Sequence, residues 1–390
     1  MNAADQKKLL ADVEAFCEEI RPIEELCYVE HTFNKEVLPL AKKHNILSMP
    51  VPAAYGGRGA DTVTYARALA RIGREGTGVR TFFSGHVSIG QYPILIWGNE
   101  EQKRRYLPAA ARGEKIMAFG LTEPEAGSNP LEMQMTYERK EDQYLLNGVK
   151  YLISNAGIAD VIVTFAYPKG RAGRISAFIV DTGGPGFARE DLTAKMGMPT
   201  ANTAMFELTD YKVPAANLLG QEGEGFRIAM GTLVSGRLSV AAGCLGVIED
   251  CLAEAVTYAR ERRQHGKPIG KHQLVQEHLA AIEMHRLATE CVVLRAAEAK
   301  DASNAAPGDA EAKARADLLA AQAKLFAANA AWDAADRAVQ IFGGRGWSTL
   351  YRPGRHLQDV RVCRIYEGTD EILKLKVAAA VLGKEYEAYK

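Results

Sequence analysis

The side chains best suited to acid–base chemistry lie near the C-terminus, in segment 364–372. Glu367 follows Ile365 and Tyr366 there, and a carboxylate beside apolar groups loses solvation, which raises its pKa and makes it a better proton acceptor near neutral pH. Thr369 is a predicted N-cap for the next helix, whose first turn is acidic, as the helix dipole favours. We interpret Glu367 as a candidate catalytic base; the alternative is a solvated loop carboxylate ahead of a capped helix.

A second candidate segment, residues 117–130, ends a predicted strand in a turn rich in hydroxyls and small residues. Gly127 would let another molecule approach the main chain closely, so that backbone N–H groups and hydroxyls could bind a polar ring edge or a phosphate. The alternative is a surface loop held by Asx and Ser turns.

The elements that must position these residues fall into three segments with different hydrophobic periods. Residues 1–115 have a helical period, residues 116–225 contain short runs rich in Val, Ile, Phe and Tyr, and residues 226–390 return to long amphipathic helices. We expect a multidomain α+β fold with an N-terminal α-helical domain, a central small β domain of the barrel or sandwich kind, and a C-terminal four-helix bundle. The predicted bundle helices are 226–264, 272–300, 310–342 and 370–382, with a polar break at 301–309.

Two local signals add detail to this outline. Asn99 followed by Gln102 resembles a capping box, which starts a helix. Asn147-Gly148 between apolar runs favours a type I′ hairpin turn inside the β domain.

The bulk composition limits the classes of function. The 390 residues are 47% hydrophobic and 25% charged, and 48 basic residues balance 48 acidic ones, so the formal net charge is zero. This balance gives no electrostatic basis for binding nucleic acid or an anionic membrane surface. The six cysteines are scattered without metal-ligand spacing, so we predict reduced structural cysteines and no metal site.

The chain has no unbroken apolar run that approaches the roughly 20 residues of a transmembrane helix. Its N-terminus has the features of neither a signal peptide nor a transit peptide. We therefore expect a cytoplasmic protein, or a mitochondrial matrix protein if a eukaryotic form is processed.

Five segments, in order along the chain, resemble the acyl-CoA dehydrogenase family. Segments 121–129 (Leu-Thr-Glu-Pro-Glu-Ala-Gly-Ser-Asn) and 150–157 (Lys-Tyr-Leu-Ile-Ser-Asn-Ala-Gly) are similar to its flavin-binding signatures. Segment 258–269 resembles its adenine-side helix end, 340–346 its dinucleotide loop, and 365–369 its catalytic segment. The resemblance implies FAD held between the β domain and the bundle, and a homotetramer (a dimer of dimers) or at least a dimer, in which a neighbouring subunit partly covers the adenine end.

The resemblance also implies roles for individual residues. Contacts on the flavin side are implied for Phe119, Leu121, Thr122, Gly127, Ser128, Leu152, Ser154, Thr369 and Glu371. Contacts with adenosine and pyrophosphate are implied for Arg262, His265, Gln340, Gly343 and Gly344, since a guanidinium and open glycine backbone suit phosphate oxygens. Contacts with the acyl-CoA substrate are implied for Ser128, Arg237, Tyr366, Gly368 and Arg80.

The implied reaction is α,β-dehydrogenation of an acyl-CoA thioester. Glu367 would remove the α-proton while the β-hydrogen leaves as hydride to flavin N5, and electrons would pass on to an electron-transferring flavoprotein. A minority of the family carries the base on the first bundle helix, but the corresponding segment 233–237 has no carboxylate. Arg237 in that segment would either lie near the base or be a helix-surface salt-bridge partner.

Four positions depart from the commonest family pattern. Leu152 stands where a tryptophan usually covers the flavin, Ser154 replaces threonine, Asn129 replaces aspartate and His265 replaces phenylalanine. Ser154 keeps the hydroxyl of threonine. Leu152 removes the aromatic side chain that usually covers the flavin, so an oxidase or monooxygenase remains an alternative to a dehydrogenase.

The substrate stays open at this point. Arg80 resembles the arginine with which glutaryl-CoA dehydrogenases pair a distal carboxylate, which would imply a dicarboxyl-CoA dehydrogenase with or without decarboxylation. Gly73 stands where that subgroup has an acidic residue, so a structural role for Arg80 is the alternative. A catalytically silent family member that uses the fold for assembly is the non-enzymatic reading.

Overall fold

The computed structural model describes residues 1–386 and 388, which form three packed units in chain order. The first unit is helical. Its helices are α1 Ala3–Val29, α2 Val37–Lys43, α3 Thr62–Gly73, α4 Thr77–Phe83, α5 Tyr92–Trp97 and α6 Glu100–Ala111. The Asn99 side chain accepts from Gln102 N and the Gln102 side chain accepts from Asn99 N, which confirms the predicted capping box at the start of α6.

The central unit is built on an eight-stranded sheet. The strand order is β6-β7-β3-β2-β4-β5-β8, and β1 pairs with β4 in parallel. Alternate residues of the long strands fill two apolar cores, one of which contains a cluster of three aromatic rings, Tyr137, Tyr144 and Phe178. The strands are β1 Met117–Gly120, β2 Thr136–Lys140, β3 Gln143–Ser154, β4 Val161–Pro168, β5 Ser176–Asp181, β6 Phe187–Asp191, β7 Thr203–Pro214 and β8 Leu218–Leu219.

The predicted hairpin turn at Asn147-Gly148 is wrong. β3 runs through both residues, and the hairpin lies at residues 141–142, between β2 and β3. The pairing of β3 with β7 shifts register at Gly148, which has φ +144° and forms a bulge. A Cβ at Gly148 would lie 2.7 Å from Met135 Cα, so the glycine serves a close approach of backbone within the sheet.

A π-helical segment, Ser84–Gln91, joins α4 to α5 and packs against β1. Sequence analysis did not predict it. A Cβ on Gly85 would lie 2.7 Å from Asn155 Nδ2, and one on Gly90 would lie 2.7 Å from Met117 Cβ. π-helical turns are rare and often occur at functional sites.

The third unit contains five helices and a two-stranded ribbon. Helices α7, α8 and α9 pack on one another, and α11 packs against α9. Helix α8 continues through the first half of the predicted polar break, and α10 was not predicted. The elements are α7 Gly225–Glu261, β9 Arg263–Gln264, β10 Lys267–Pro268, α8 Gln273–Ala305, α9 Ala310–Phe342, α10 Arg352–Val360 and α11 Asp370–Leu382. The predicted succession of helical, β and helical domains is confirmed.

Domain limits at 1–115, 116–225 and 226–390 stay our proposal. They fall near the connections from α6 to β1 and from β8 to α7. Residues 387, 389 and 390 of the last range lie outside the described part of the chain.

Helix α7 is the shared core of the helical units. It is long and apolar enough to cross a membrane, with a hydropathy of 1.5 in its most apolar window, but 83% of that window is buried inside the protein. Polar and charged residues interrupt its apolar runs, so the sequence does not reveal it as a single apolar segment. A Cβ on Gly246 would overlap the Ala70 carbonyl, and one on Gly243 would lie 2.6 Å from Arg80 Nε, so small residues let α7 approach the N-terminal domain.

Candidate active site

The catalytic turn, residues 366–369, joins the end of the α10 region to α11. Glu367 has φ +55° and Gly368 has φ +97°. A left-handed conformation is uncommon for a residue with a side chain, and such backbone strain concentrates at functional sites. Thr369 Oγ1 accepts from Ile372 N at 3.3 Å, which confirms the predicted cap of α11.

The Glu367 carboxylate occupies the space that Gly236 leaves on α7. A Cβ at Gly236 would lie 2.5 Å from Glu367 Cδ. Although Glu367 as a whole is partly exposed, its Oε2 is buried and has no hydrogen-bond partner among the described residues. Burial raises the pKa of Glu367 to about 7, while the cations of Arg237, Lys324 and Arg80 oppose that rise. Gly236 thus leaves room for the carboxylate in segment 233–237, which itself has no carboxylate.

Arg237 connects the catalytic turn to the bundle. Its Nε donates to the backbone oxygen of Glu367 at 3.2 Å, and its Nη1 donates to Asp317 Oδ1 at 2.9 Å. Arg237 is 6% exposed. The residue therefore has both of the contacts considered from sequence, with the base and with an acidic partner, but it is buried and does not lie on a helix surface.

Arg80 contacts Tyr366, the residue before the base. Arg80 Nη2 donates to Tyr366 Oη, and the guanidinium carbon lies 5.8 Å from the ring centroid. Cys363 Sγ lies 3.2 Å from the same hydroxyl. Arg80 is 1% exposed, its Nε has no hydrogen-bond partner, and no described carboxylate forms a salt bridge with it. A guanidinium is thus buried here without a salt bridge to a described carboxylate, although the Glu367 carboxylate lies within electrostatic reach.

The turn after β1 is fastened to β3 by a buried ion pair that sequence analysis missed. Lys150 Nζ donates to Glu123 Oε1 at 2.8 Å and to Leu121 O at 3.2 Å, and both charged side chains are almost fully buried. Tyr151 N donates to Thr122 O at 2.9 Å. Two predicted cofactor residues, Leu121 and Thr122, are thereby held through hydrogen bonds to their backbone carbonyls. The only sequence signal was a lysine inside an apolar strand.

The other residues predicted at the flavin turn have different environments. Phe119 is buried, with its ring centroid 5.0 Å from that of Phe165, so its side chain belongs to the core of the β domain. Gly127 and Ser128 are exposed, and a Cβ at Gly127 would meet no atom within 4 Å. The main chain of this turn is therefore open to a ligand.

Leu152 and Ser154 lie where β3 leaves its regular pairing. The register with β7 shifts between Lys150 and Ile153, and Leu152 has φ +58° with 55% of its surface exposed. Strained backbone of this kind concentrates at functional sites, and the exposed Leu152 side chain offers an apolar surface there. Ser154 is half-buried and adjoins the π-helical segment at Gly85.

The residues predicted for adenosine and pyrophosphate lie together at the other end of the bundle. Helices α7 and α9 end side by side, because the rings of Tyr258 and Phe342 stack with centroids 4.1 Å apart. A Cβ at Gly343 or Gly344 would meet no atom within 4 Å. The exposed residues of this set are Arg262, His265, Gln340, Gly343 and Gly344.

The two groups are far apart within one chain. Lys324 of α9 contacts Gly368 beside the base, and Phe342 at the end of the same helix is 18 residues further on, or roughly 27 Å. Glu371, also predicted to contact the cofactor, is exposed in the first turn of α11, on the side of the base. The structure therefore gathers the predicted residues into a catalytic end and an adenosine end.

These surfaces fit a dinucleotide. The open backbone of Gly127, Gly343 and Gly344 and the exposed guanidinium of Arg262 suit phosphate and polar ring edges. Leu152 offers an apolar surface for a ring.

Comparison with known sequences gives an independent assignment. Three models of acyl-CoA dehydrogenase domains match consecutive parts of the chain: the N-terminal domain at residues 3–114, the middle domain at 118–211 and the C-terminal domain at 223–382. An acyl-CoA dehydrogenase of Bacillus subtilis (strain 168) is 40% identical over 367 residues, which cover 94% of each chain. A short-chain-specific acyl-CoA dehydrogenase of Megasphaera elsdenii is 39% identical over 349 residues, 86% of this chain and 88% of that one.

Three solved structures support the same family assignment. The chain matches one solved in a study of the electron transferring flavoprotein of Acidaminococcus fermentans with a TM-score of 0.91, 36% identity and coverage of 98% and 99% of the two chains. It matches glutaryl-CoA dehydrogenase in its complex with glutaryl-CoA with a TM-score of 0.91, 34% identity and coverage of 100% and 98%. It matches an acyl-CoA dehydrogenase of Bacillus anthracis complexed with FAD with a TM-score of 0.91, 33% identity and coverage of 98% and 67%.

FAD is the cofactor that the family uses, and one of these relatives holds it, so the sequence prediction of FAD is confirmed for the family. The sequence matches and the three-domain fold agree over nearly the whole chain. The protein belongs to the acyl-CoA dehydrogenase family of FAD-dependent oxidoreductases.

Proposed function

We propose that the protein dehydrogenates an acyl-CoA thioester and that Glu367 removes the α-proton. The observation that carries the proposal is the Glu367 carboxylate, whose Oε2 is buried over Gly236 with no hydrogen-bond partner among the described residues. Burial raises its pKa to about 7. A base with a pKa near the working pH combines a large ionised fraction with a strong affinity for the proton.

Two further features of the turn serve the same step. No described acceptor takes the backbone N–H of Glu367, so this group is free to donate to a thioester carbonyl and stabilise the charge that develops when the α-proton leaves. Arg237 holds the carbonyl of the same residue at 3.2 Å and so restricts rotation of the turn. Bound FAD would supply the acceptor for the β-hydrogen and its electron pair.

Anaerobic titration of the purified protein with butyryl-, octanoyl-, isovaleryl- and glutaryl-CoA tests this function. We expect a yellow protein whose flavin band near ~450 nm is bleached by at least one of them. A yellow protein that none of them bleaches would contradict dehydrogenation of these acyl groups, and a colourless protein would favour the silent family member.

A dicarboxylic acyl-CoA is a second candidate substrate, and Arg80 favours it. The guanidinium is buried beside the residue that precedes the base, and no described carboxylate forms a salt bridge with it. A substrate carboxylate would supply that salt bridge and could bind the fork through two hydrogen bonds. We expect Arg80→Met to raise KM for glutaryl-CoA by about 100-fold or more while changing KM for butyryl-CoA little. Equal effects on both substrates would leave Arg80 as a structural residue.

We also propose that an electron-transferring flavoprotein accepts the electrons. A chain that shares this fold and 36% of its sequence was solved in a study of the electron transferring flavoprotein of Acidaminococcus fermentans, which supports such a flavoprotein as the partner. The substrate-reduced protein should be reoxidised by such a flavoprotein faster than by oxygen. Faster reaction with oxygen would favour an oxidase, in line with the missing aromatic cover at Leu152.

We propose a homotetramer, a dimer of dimers; the distance between the catalytic and adenosine ends supports an assembly in which the adenosine end of one subunit serves the FAD of another. Arg262→Ala should then lower FAD retention although Arg262 lies far from Glu367 in its own chain. Light scattering would give the mass, and a monomer that retains FAD fully would contradict the assembly. A cytoplasmic location stays a prediction of the sequence.

A further inference from the structure

We propose that Lys324 of α9 is a positioning residue that fixes the catalytic turn through the carbonyl of Gly368. This inference rests on the proposed function, since it gives Lys324 a role in proton removal by Glu367. Lys324 Nζ donates to Gly368 O at 2.7 Å. The residue is completely buried on a helix whose neighbouring buried positions are alanine, namely Ala320, Ala321, Ala323, Ala327 and Ala328.

A buried lysine at this position is energetically unfavourable. Removing its ammonium group from water costs free energy, and burial accordingly lowers the pKa of Lys324. Packing between α9 and its neighbours would be served as well by methionine or leucine, which bury no charge. The cost indicates that the charge or the donor of Lys324 has a use beyond packing.

The contact between Lys324 and Gly368 lies on a strained part of the backbone. Glu367 and Gly368 are consecutive residues with positive φ, and each of their carbonyls accepts from a buried cation. Arg237 of α7 binds the Glu367 oxygen, and Lys324 of α9 binds the Gly368 oxygen. Two helices thus hold two successive peptide groups and keep the Glu367 side chain in the space over Gly236.

Lys324 affects the base in a second way. Its positive charge lies close enough to Glu367 to favour the ionised carboxylate against the effect of burial. Loss of the charge should therefore raise the pKa of Glu367, whereas loss of the hydrogen bond should disorder the turn and slow proton removal. A merely structural lysine would change stability and leave both properties of the base as they are.

The test uses full-length protein loaded with FAD and three substitutions. Lys324→Met removes donor and charge, and Lys324→Gln keeps a donor but removes the charge. Lys313→Met makes the same change as the first at an exposed position of α9 and is the matched control. Flavin content and thermal unfolding verify that each variant is assembled.

Proton removal is measured apart from flavin reduction. The probe is the 3-thia analogue of the acyl-CoA that bleaches the wild type, because sulfur at the β position blocks loss of hydride while the α-proton can still exchange with deuterium oxide. Mass spectrometry gives the exchange rate as a function of pH. Glu367→Gln provides the background rate.

We expect Lys324→Met to slow α-proton exchange by about 100-fold, the effect of misplacing a catalytic group by a small distance. Its pH midpoint should rise by about 1 unit, since an opposite charge near the carboxylate is lost. Lys324→Gln should recover most of the rate at high pH and keep the raised midpoint. Lys313→Met should match the wild type.

Two results would overturn the inference. Exchange rates and midpoints of both Lys324 variants equal to those of Lys313→Met would make Lys324 structural, with the proposed function left intact. If Lys324→Met does not assemble, an unchanged midpoint in Lys324→Gln would have the same meaning. A wild type that exchanges no faster than Glu367→Gln would contradict the proposed function itself.

Discussion

At the scale of single residues, reactivity comes from placing one carboxylate where hydrogen-bond donors are scarce. The Glu367 Oε2 is buried and unpartnered, and its pKa rises to about 7 because burial outweighs three nearby cations. An ordinary solvated glutamate would be a much weaker base at the same pH. The site therefore balances desolvation against positive charge.

This balance predicts the pH dependence of the reaction. Glu367 must be ionised to accept a proton, so the rate of flavin reduction by an acyl-CoA should level off above about pH 7. Below that value it should fall roughly tenfold per pH unit. Anaerobic stopped-flow measurements at substrate concentrations well below saturation give the profile of the free protein, to which this pKa applies. A rate that stays constant down to the ordinary pKa of a glutamate would contradict the burial effect.

The sequence predicted Glu367 as a candidate base and Thr369 as the cap of α11, but it did not predict the contacts that hold them. Glu367 and Thr369 could be identified because a local pattern sets both the apolar approach and the helix start. Lys324 and Lys150 could not, since each acts on a carbonyl that is distant in sequence, and a lysine in a helix or strand usually faces solvent. Tertiary packing decided these two roles.

At the scale of elements, helix α7 contributes to the site through Gly236, whose missing side chain leaves space for the Glu367 carboxylate. We predict that Gly236→Ala lowers the rate of flavin reduction by about 100-fold, because the new methyl group would displace the Glu367 carboxylate. The helix itself should gain stability, by about 1 kcal/mol, since alanine is the better helix former. Opposite changes in rate and melting temperature are the signature to look for.

Ser235→Ala is the control for this prediction, because it makes a comparable small change at the preceding position of the same helix. Its rate should stay close to that of the wild type. A Gly236→Ala variant with an unchanged rate would show that the carboxylate does not need this space.

The β domain positions its turn through the Lys150–Glu123 ion pair. Lys150→Met should destabilise the protein by about 3–5 kcal/mol, since it leaves the Glu123 carboxylate buried and unpaired. It should also weaken FAD retention, because Leu121 loses a contact to its carbonyl. Thermal unfolding and flavin release measure the two effects. Adding Glu123→Gln should restore part of the stability; a double variant less stable than the single one would contradict the reasoning.

Some features of the elements lay beyond sequence patterns. The long strand β3 has a bulge at Gly148 and another near Leu152, and each depends on its pairing with β7. Asn147-Gly148 has the residues of a hairpin turn, but partners on both sides of β3 outweigh that local preference. The π-helical segment likewise depends on how Gly85 and Gly90 pack against the β domain.

At the scale of the whole molecule, buried polar networks join the units. Arg352 of α10 donates from Nε to Asp250 of α7 at 2.7 Å and from Nη1 to Glu25 of α1 at 3.1 Å. Glu24 of α1 accepts from Asn34 Nδ2 at 2.8 Å and from Thr200, which precedes β7. Such contacts fix the N-terminal domain relative to the domains that carry the site.

Glu24 gives the global stability a predictable pH dependence. Burial raises its pKa to about 7, so between its ordinary value of 4.5 and about 7 the folded state holds a proton that the unfolded state releases. The free energy of unfolding should therefore fall across this range as pH rises, by about 3 kcal/mol from this group. Glu24→Gln should remove this share of the slope, while Asp359 and Glu367, whose pKa values burial also raises to about 7, keep their own shares. Parallel pH profiles of melting temperature for wild type and variant would contradict it.

The most direct test of the central claim compares anaerobic flavin reduction in wild type and Glu367→Gln, with equal FAD content, using the acyl-CoA that bleaches the wild type. We predict that the variant keeps its yellow colour and binds the acyl-CoA but is reduced at least about 10⁴-fold more slowly, since it lacks the proton acceptor. Reduction of the variant at a rate close to that of the wild type would show that another group removes the proton, and Glu367 would lose its role as the base.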